Sequence, residues 1–589
     1  MTVDLERRPE VNSDNYSRFL DAIGRPGLKE VITRKTPWVS ASMEVAYAQM
    51  PFTGGMGILT GDELHQAEKL GIPFVVSTLA YSQRWRQRLE GFYQKEDYEA
   101  LTPKDLGLVI RKDLGQVEIR VNDESVHLDI CQKQVGNGSI VALYEEGLRD
   151  LYYGSNESQH RLYQEVVLGF GGHEALKRLE LSPAILHLNE SAKVFSAVAF
   201  LDEAVSSGMT FEEALDHTRR HVVFTNHTLV PAAVSSFAKD LFEKYVFGNI
   251  KNQQVKEWIA QMIDKAPDGK LSLSTLALEL SRRTNGVSQM HSKIASSQFR
   301  RINGDPVYFE PITNGIFMER WVGEGLYGLY KSTGIIDEFD LPGEDYQERI
   351  EGLDIDELGR LKSDAKSRLV QYLSGRVDQD GNSVRISPDA KIAVWARRLA
   401  GYKRPGMLFE QPGELMRILE SNNMHLIISG RAHPTDKPMK DELKRILHRI
   451  NDYPALRERV HFVQDYDEEL AEHLVTGADI WINTPEVGKE ACGTSGWKAF
   501  GALCLGVSTM DGGLADIYPP VYRVVKGVDY QDEVDSLYFN LSEAAAEVNN
   551  PFKRFQRAKA QLAAYLEIIS GGRMLKDYLN FAFPLKSLN

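Results

Sequence analysis

The 589-residue sequence predicts an α/β protein built on parallel sheets, arranged as two α/β units that face one another across a cleft. Three observations carry this. From residue 391 onward, short apolar runs (KIAVWARR, MHLIISG, RVHFVQD, ADIWINT, LCLGVSTM) alternate with amphipathic helical stretches (PGELMRILES, KDELKRILHRI, DEELAEHLVTG). Runs without period-2 alternation are strands buried on both faces of a doubly wound sheet. The first part of the chain repeats the pattern less regularly, with WVSASMEV, PFVVSTLAY, AILHLNE and VVFTNHT followed by DELHQAEKLG, KVFSAVAFLDEAV and SSFAKDLFEKYVF. Finally, 42% hydrophobic and 26% charged residues over this length support two or three cores, since one hydrophobic core stops growing well before this size.

Within the first unit, QVEIRVNDESVHLDICQKQVGNGSIVALYEEG alternates polar and apolar residues around NDE and GNGS, which predicts an antiparallel β insertion. A charged stretch, roughly 337–390, separates the two units. The expected division is an N-terminal α/β domain over 1–316, a Rossmann-like domain over 317–570, and a C-terminal segment over 571–589 packing back on the first domain. Ligands of such sheets sit at the carboxyl ends of the strands.

Net charge is −14, so nucleic acid and anionic membranes are not expected partners, and a bound anion needs a local basic cluster. The cysteines, Cys131, Cys492 and Cys504, have neither disulfide-framework nor CxxC spacing, and no metal site is expected. No apolar run is long enough to span a bilayer, and the N-terminus lacks a signal-peptide core; a cytoplasmic location is expected.

Chemistry gathers at strand ends. FTGGMGILTGDEL places Gly54, Gly55 and Gly57 ahead of a helix, where a tight turn or an anion-binding helix start are both open readings. WARRLAGYKRPG sets Arg397, Arg398, Lys403 and Arg404 after a strand; a solvated basic loop competes with a phosphate clamp. His227 in VFTNHTLVP and Asn314 in ITNGIFMERW end or follow strands and are equally compatible with structural roles. EACGTSGWKAF puts Thr494 and Ser495 at a helix start and Lys498 one turn further on. A phosphate gripped by such amides and a lysine within reach suit a phosphate-bearing aldehyde that forms a Schiff base, which is pyridoxal phosphate.

Taken together, HLNE, TNHTLVPA, ITNG, RRLAGYKR, DYDEELAEHL, NTPEVGKEACGTSGWK and TMDGG resemble, in order and approximate spacing over about residues 38–520, the α-glucan phosphorylases, most closely their compact bacterial and archaeal branch. The resemblance implies a GT-B fold and reversible, retaining transfer of a glucosyl unit from the nonreducing end of an α-1,4-glucan or maltooligosaccharide to inorganic phosphate, giving glucose 1-phosphate. It also implies pyridoxal 5'-phosphate on Lys498, with Thr494, Ser495, Tyr466, Arg397 and Gly55 around the cofactor. Arg398 and Lys403 would bind the substrate phosphate, closed over by the amides of Gly55 and Met56. Glu490, Cys492 and Gly493 would meet the 3- and 4-hydroxyls of glucose, Tyr402 the 2-hydroxyl, and His227 and Asn314 the region of the 6-hydroxyl. Lys498, Arg398, Lys403, His227 and Glu490 form the implied catalytic set.

Two further comparisons sharpen the resemblance. Retaining GT-B enzymes that use nucleotide sugars commonly carry E-x7-E; here Glu490 takes the first place and Lys498 the second. Where the family usually has a histidine after HLNE, beside the acceptor, this chain has Ala192 and Lys193, which leaves a different acceptor such as a small disaccharide, or a noncatalytic glucan-binding homologue, as alternatives. A homodimer is a family expectation.

Overall fold

A computed structural model describes residues 13–149, 159–228, 234–518 and 520–584. The expectations placed on 1–12, on the 229–232 part of TNHTLVPA, and on 585–589 lie outside the described residues.

Mixed α/β structure with parallel sheets is observed. Seven parallel strands, Trp38–Ala41, Phe74–Leu79, Gly138–Tyr144, Ile185–Asn189, Val222–Asn226, Arg283–Gly286 and Glu310–Pro311, make most of a ten-stranded sheet. Taken in chain order they lie 3-2-1-4-5-6-7 across the sheet, so the winding direction reverses between Trp38–Ala41 and Ile185–Asn189. Glu124–Val135 then continues the edge antiparallel to Gly138–Tyr144, and itself pairs antiparallel with Gln116–Val121 and Val109–Ile110.

The second sheet has six strands, all parallel: Lys391–Ala396, Met424–Ser429, Val460–Val463, Ile480–Asn483, Leu505–Thr509 and Tyr522–Val524. Their order, 3-2-1-4-5-6, is that of doubly wound nucleotide-binding sheets, and ligands of such sheets lie where the order reverses. Here the reversal falls between Lys391–Ala396 and Ile480–Asn483, the strands that feed Arg397 and the segment running to Lys498.

The charged stretch 337–390 is no plain separator. Its helix Ile355–Leu373 is amphipathic and buries Leu358, Leu369 and Leu373 in the same core as Ile392, Trp395 and Leu474. The helix Gly571–Ala582 carries Met574, Leu575, Tyr578 and Phe581 into a core shared with Trp38, Phe74 and Val76 of the ten-stranded sheet. Among the described residues no helix is long and apolar enough to cross a membrane, and no cluster of metal-binding side chains occurs.

Candidate functional site

Two strand ends of the six-stranded sheet bring most of the expected residues together. Lys391–Ala396 is fully apolar and buried from Ile392 onward, so the chain turns polar where it leaves the sheet, at Arg397. The other strand, Ile480–Asn483, leads through a loop to Glu490 and then to the helix Thr494–Gly501. Between them Glu490 Oε2 accepts from Lys403 Nζ at 2.6 Å and lies 3.5 Å from Arg397 Nη1. Burial works against ionisation of Glu490, but Lys403, Arg397 and Arg398 outweigh it and hold the carboxyl below its ordinary range. Both of these contacts fall on Oε2.

Arg397 bridges the cluster to the helix: its Nη2 donates to Ser495 Oγ at 2.6 Å, and its Nε is buried with no hydrogen-bond partner among the described residues. Tyr466 lies near enough for Arg397 to favour its ionised form, although burial dominates and pushes its phenol well above the usual range. Lys403 Nζ stands 4.9 Å from the centre of the Tyr402 ring. Arg398 interacts electrostatically with both Glu490 and Glu44.

The helix Thr494–Gly501 starts at Gly493 with no side chain capping its first N–H groups, and Thr494 and Ser495 are only half-buried. Such a start carries uncompensated donors and the positive end of the helix dipole, a receptor for a phosphate ester. One turn on, Lys498 is buried rather than running out to solvent, with 6% of its surface exposed. Its Nζ lies 3.5 Å from the centre of the Trp321 ring and forms no hydrogen bond among the described residues. Burial holds the amine at about 8, well under an ordinary lysine. An amine of that kind is available as a nucleophile near neutrality.

On the side of the ten-stranded sheet, the start of the helix Gly55–Leu70 lies beside Glu44, whose carboxyl is in the field of Arg398. Gly54, its cap, is extended and offers no side chain. A Cβ on Gly55 would enter open space, whereas one on Gly57 would stand 2.6 Å from Phe52 Cβ. The loop is tied down by Glu44, whose Oε2 accepts from Thr53 N at 2.6 Å. Met56 follows Gly55 in the same first turn.

His227 and Asn314 lie in different surroundings. His227 donates its backbone N–H to Glu190 Oε1 at 2.7 Å, and its ring Nε2 meets Asn189 Oδ1, so it closes on the strand end that carries HLNE, not on Lys498. Burial keeps its imidazole neutral, well below the ordinary value. Asn314 is buried, its side-chain Oδ1 has no partner among the described residues, and its backbone hydrogen-bonds to Cys492, whose thiol burial pushes up to about 12. Ser288 Oγ donates to Ala491 O at 2.9 Å, linking the ten-stranded sheet to the Glu490 loop.

Ala192 and Lys193, the departures from the family pattern, do not border an open site. Both are buried to 1% exposure. Lys193 Nζ donates to Asn189 O and lies in the field of Glu190, Glu63, Glu44 and Glu165; burial lowers its amine to about 7.

Four contributors escaped the sequence reading. Asp62 and Trp321 flank Lys498, and Asp511 of TMDGG accepts the N–H groups of Lys489 and Glu490 at 3.1 and 2.7 Å. Glu44 anchors the glycine loop. An acid two turns into the helix behind a glycine loop, in GDEL, was the available signal for Asp62.

The family model for carbohydrate phosphorylases matches residues 173–524. Glycogen phosphorylase from Mycobacterium bovis is 28% identical over 92% of this chain and 70% of its own length. Glycogen phosphorylase from Aquifex aeolicus is 27% identical over 93% of this chain and 86% of its own length. Maltodextrin phosphorylase from Thermococcus litoralis is 27% identical over 78% of this chain and 58% of its own length.

Proposed function

The chain belongs to the carbohydrate phosphorylase family, and from that premise we propose that it is a pyridoxal-phosphate-dependent α-1,4-glucan phosphorylase. The reaction is reversible, retaining transfer of a glucosyl unit from the nonreducing end of a maltooligosaccharide or glucan to inorganic phosphate, giving glucose 1-phosphate. The observation that carries the reading is the buried Lys498 amine, free of hydrogen bonds among the described residues, one turn into a helix whose N-terminus is uncapped. Pyridoxal phosphate, characteristic of the family, needs this pair of devices.

The residues present fit the group. Thr494, Ser495 and the amides behind Gly493 would hold its phosphate, with Arg397, already on Ser495 and with an unpartnered Nε, adding charge. Tyr466 would line its far side. When bound, pyridoxal phosphate supplies a phosphate monoester whose second ionisation lies near neutrality, suited to exchanging a proton with the substrate phosphate. Arg398 and Lys403 would bind that substrate phosphate, and the amides of Gly55 and Met56, at a helix start with open space before it, would close over it. Two neighbouring phosphates repel, so these cations hold them together and stabilise the positive glucosyl centre as the glycosidic bond breaks.

Glu490, kept ionised by its basic neighbours through Oε2, retains Oε1 for a sugar hydroxyl. Asn314, whose buried Oδ1 has no partner among the described residues, and the neutral His227 would meet the 6-hydroxyl, and Tyr402 the 2-hydroxyl. A wrong epimer would leave such buried groups unpaired, which is the basis of their discrimination.

In the same proposal the two sheets are the two domains of a GT-B enzyme, over 1–316 and 317–570, with 571–589 returning to the first; the enzyme is cytoplasmic and homodimeric, as family members are expected to be. The test is covalent. Incubation with pyridoxal phosphate and reduction with borohydride should place one pyridoxyl phosphate on the peptide containing Lys498 and none in Lys498→Ala. A label on another lysine, or no label, contradicts the assignment.

A further inference from the structure

Three segments distant in sequence converge on the Lys498 amine. Asp62 comes from the helix Gly55–Leu70, Trp321 ends the short helix Met318–Trp321, and Lys498 lies on Thr494–Gly501. The Trp321 indole Nε1 donates to Asp62 Oδ1 at 2.7 Å, which fixes the carboxylate. Its other oxygen, Oδ2, is buried, has no hydrogen-bond partner among the described residues, and lies 4.0 Å from Lys498 Nζ. The ammonium itself rests 3.5 Å from the centre of the same indole. Trp321 therefore serves both charges, its edge holding the acid and its face holding the base.

Four ångströms is too long for a hydrogen bond and too short for two buried charges to ignore each other. Resting on the cofactor assignment above, we propose that Asp62 is a positioning residue that holds Lys498 as an ammonium over Trp321 and accepts its proton when the cofactor aldehyde arrives. One Nζ–H bond breaks, one Oδ2–H bond forms, and the electron pair left on nitrogen becomes the nucleophile. The two charges vanish together, so neither is stranded in a niche that water does not reach.

Burial supports the exchange from both sides. It lowers Lys498 to about 8 and raises Asp62 to about 6, drawing together two groups that lie far apart in water. The other charges facing the pair are Arg320, beside Trp321, and Glu468, at the start of the helix Glu468–Gly477, with Glu63 next to Asp62 on its own helix. Arg320 and Glu468 are ion-paired with each other, so their opposite effects on the site partly cancel.

The test titrates Lys498 without requiring turnover. Full-length protein freed of cofactor is trace-labelled with acetic anhydride between about pH 6 and pH 10, and acetylation of the Lys498 peptide is followed by mass spectrometry. Asp62→Asn removes the counter-charge, so the midpoint for Lys498 should fall by about one unit, which is roughly tenfold more labelling on the acid side of the profile. Asp62→Glu should restore the profile toward wild type. A midpoint that stays put or rises in Asp62→Asn overturns the proposal; a purely structural role would reduce the yield of folded protein without moving it. Should Asp62→Asn fail to fold, the smaller neutral Asp62→Ser carries the same expectation. The borohydride label separates the two readings. A shifted midpoint without a pyridoxyl label would leave the pair coupled and sink the cofactor assignment, and a label without a shift would do the reverse.

Discussion

Lys193 shows how a single residue can mislead when only its neighbours in sequence are known. Following HLNE it reads as a replacement at the acceptor edge. In the structure it is a buried cation set among four acids, and its position beside Glu190 matters because Glu190 has φ 79 and ψ 163, a backbone region that is nearly reserved for glycine. The Glu190 carboxylate holds that geometry by accepting the N–H groups of Ser191 and His227. Lys193→Met should leave this acid cluster without its cation and destabilise the protein by about 3–5 kcal/mol, measured by denaturant unfolding. A change under about 1 kcal/mol would show that the acids bury themselves neutral without it. By contrast Lys498, Arg397 and Glu490 were legible, because their chemistry sits within short runs that follow apolar strands. Asp62 and Trp321 were not, because a helix residue and an aromatic become site residues only through the fold that brings them to Lys498.

At the scale of the element, the glycine-rich loop divides its work in a way that spacing alone does not reveal. Gly55 has open space where a side chain would go, which suits a backbone approached by a ligand. Gly61 has none: a Cβ there would lie 2.2 Å from the carbonyl oxygen of Ala46, so this glycine lets the helix lie against the segment after the first strand. Gly61→Ala should therefore cost about 1–3 kcal/mol of stability by overpacking, visible as a lowered denaturation midpoint, while an unchanged midpoint would mean that the helix can shift without penalty. The strand and helix series after residue 391 was plain in the sequence because its strands are predominantly apolar, with only isolated polar residues such as His425 and His461. The amphipathic helix Ile355–Leu373 is masked in the sequence by the charge on its outer face, which makes 337–390 look like a separator although its apolar face joins the core of the six-stranded sheet.

At the scale of the whole molecule, the candidate residues are drawn from segments of both sheets, as in the contacts of Ser288 with Ala491 and of Trp321 with Asp62. The hairpin Gln83–Glu90 and Tyr93–Ala100 reaches from the strand Phe74–Leu79 to the six-stranded sheet. There Gln87 Nε2 donates to Gly430 O at 2.9 Å and Gln94 Nε2 to Ala432 O at 2.8 Å. Lys440 pairs with Glu96 at 2.7 Å in a largely buried contact. These bonds sit beside Asp465, which accepts from Gln87 N at 3.0 Å and precedes Tyr466, so the hairpin also borders the side of the candidate site proposed to hold the cofactor. Sequence could name the parts on each sheet, but their meeting depends on contacts between residues hundreds of positions apart. If that meeting makes a phosphorylase, the direct measurement is release of glucose 1-phosphate from maltooligosaccharides, glycogen and disaccharides incubated with inorganic phosphate and protein reconstituted with pyridoxal phosphate. The predicted result is α-glucose 1-phosphate from an α-1,4-linked oligosaccharide, dependent on phosphate and lost in Lys498→Ala; no sugar phosphate from any of these substrates, or release undiminished in Lys498→Ala, would contradict it.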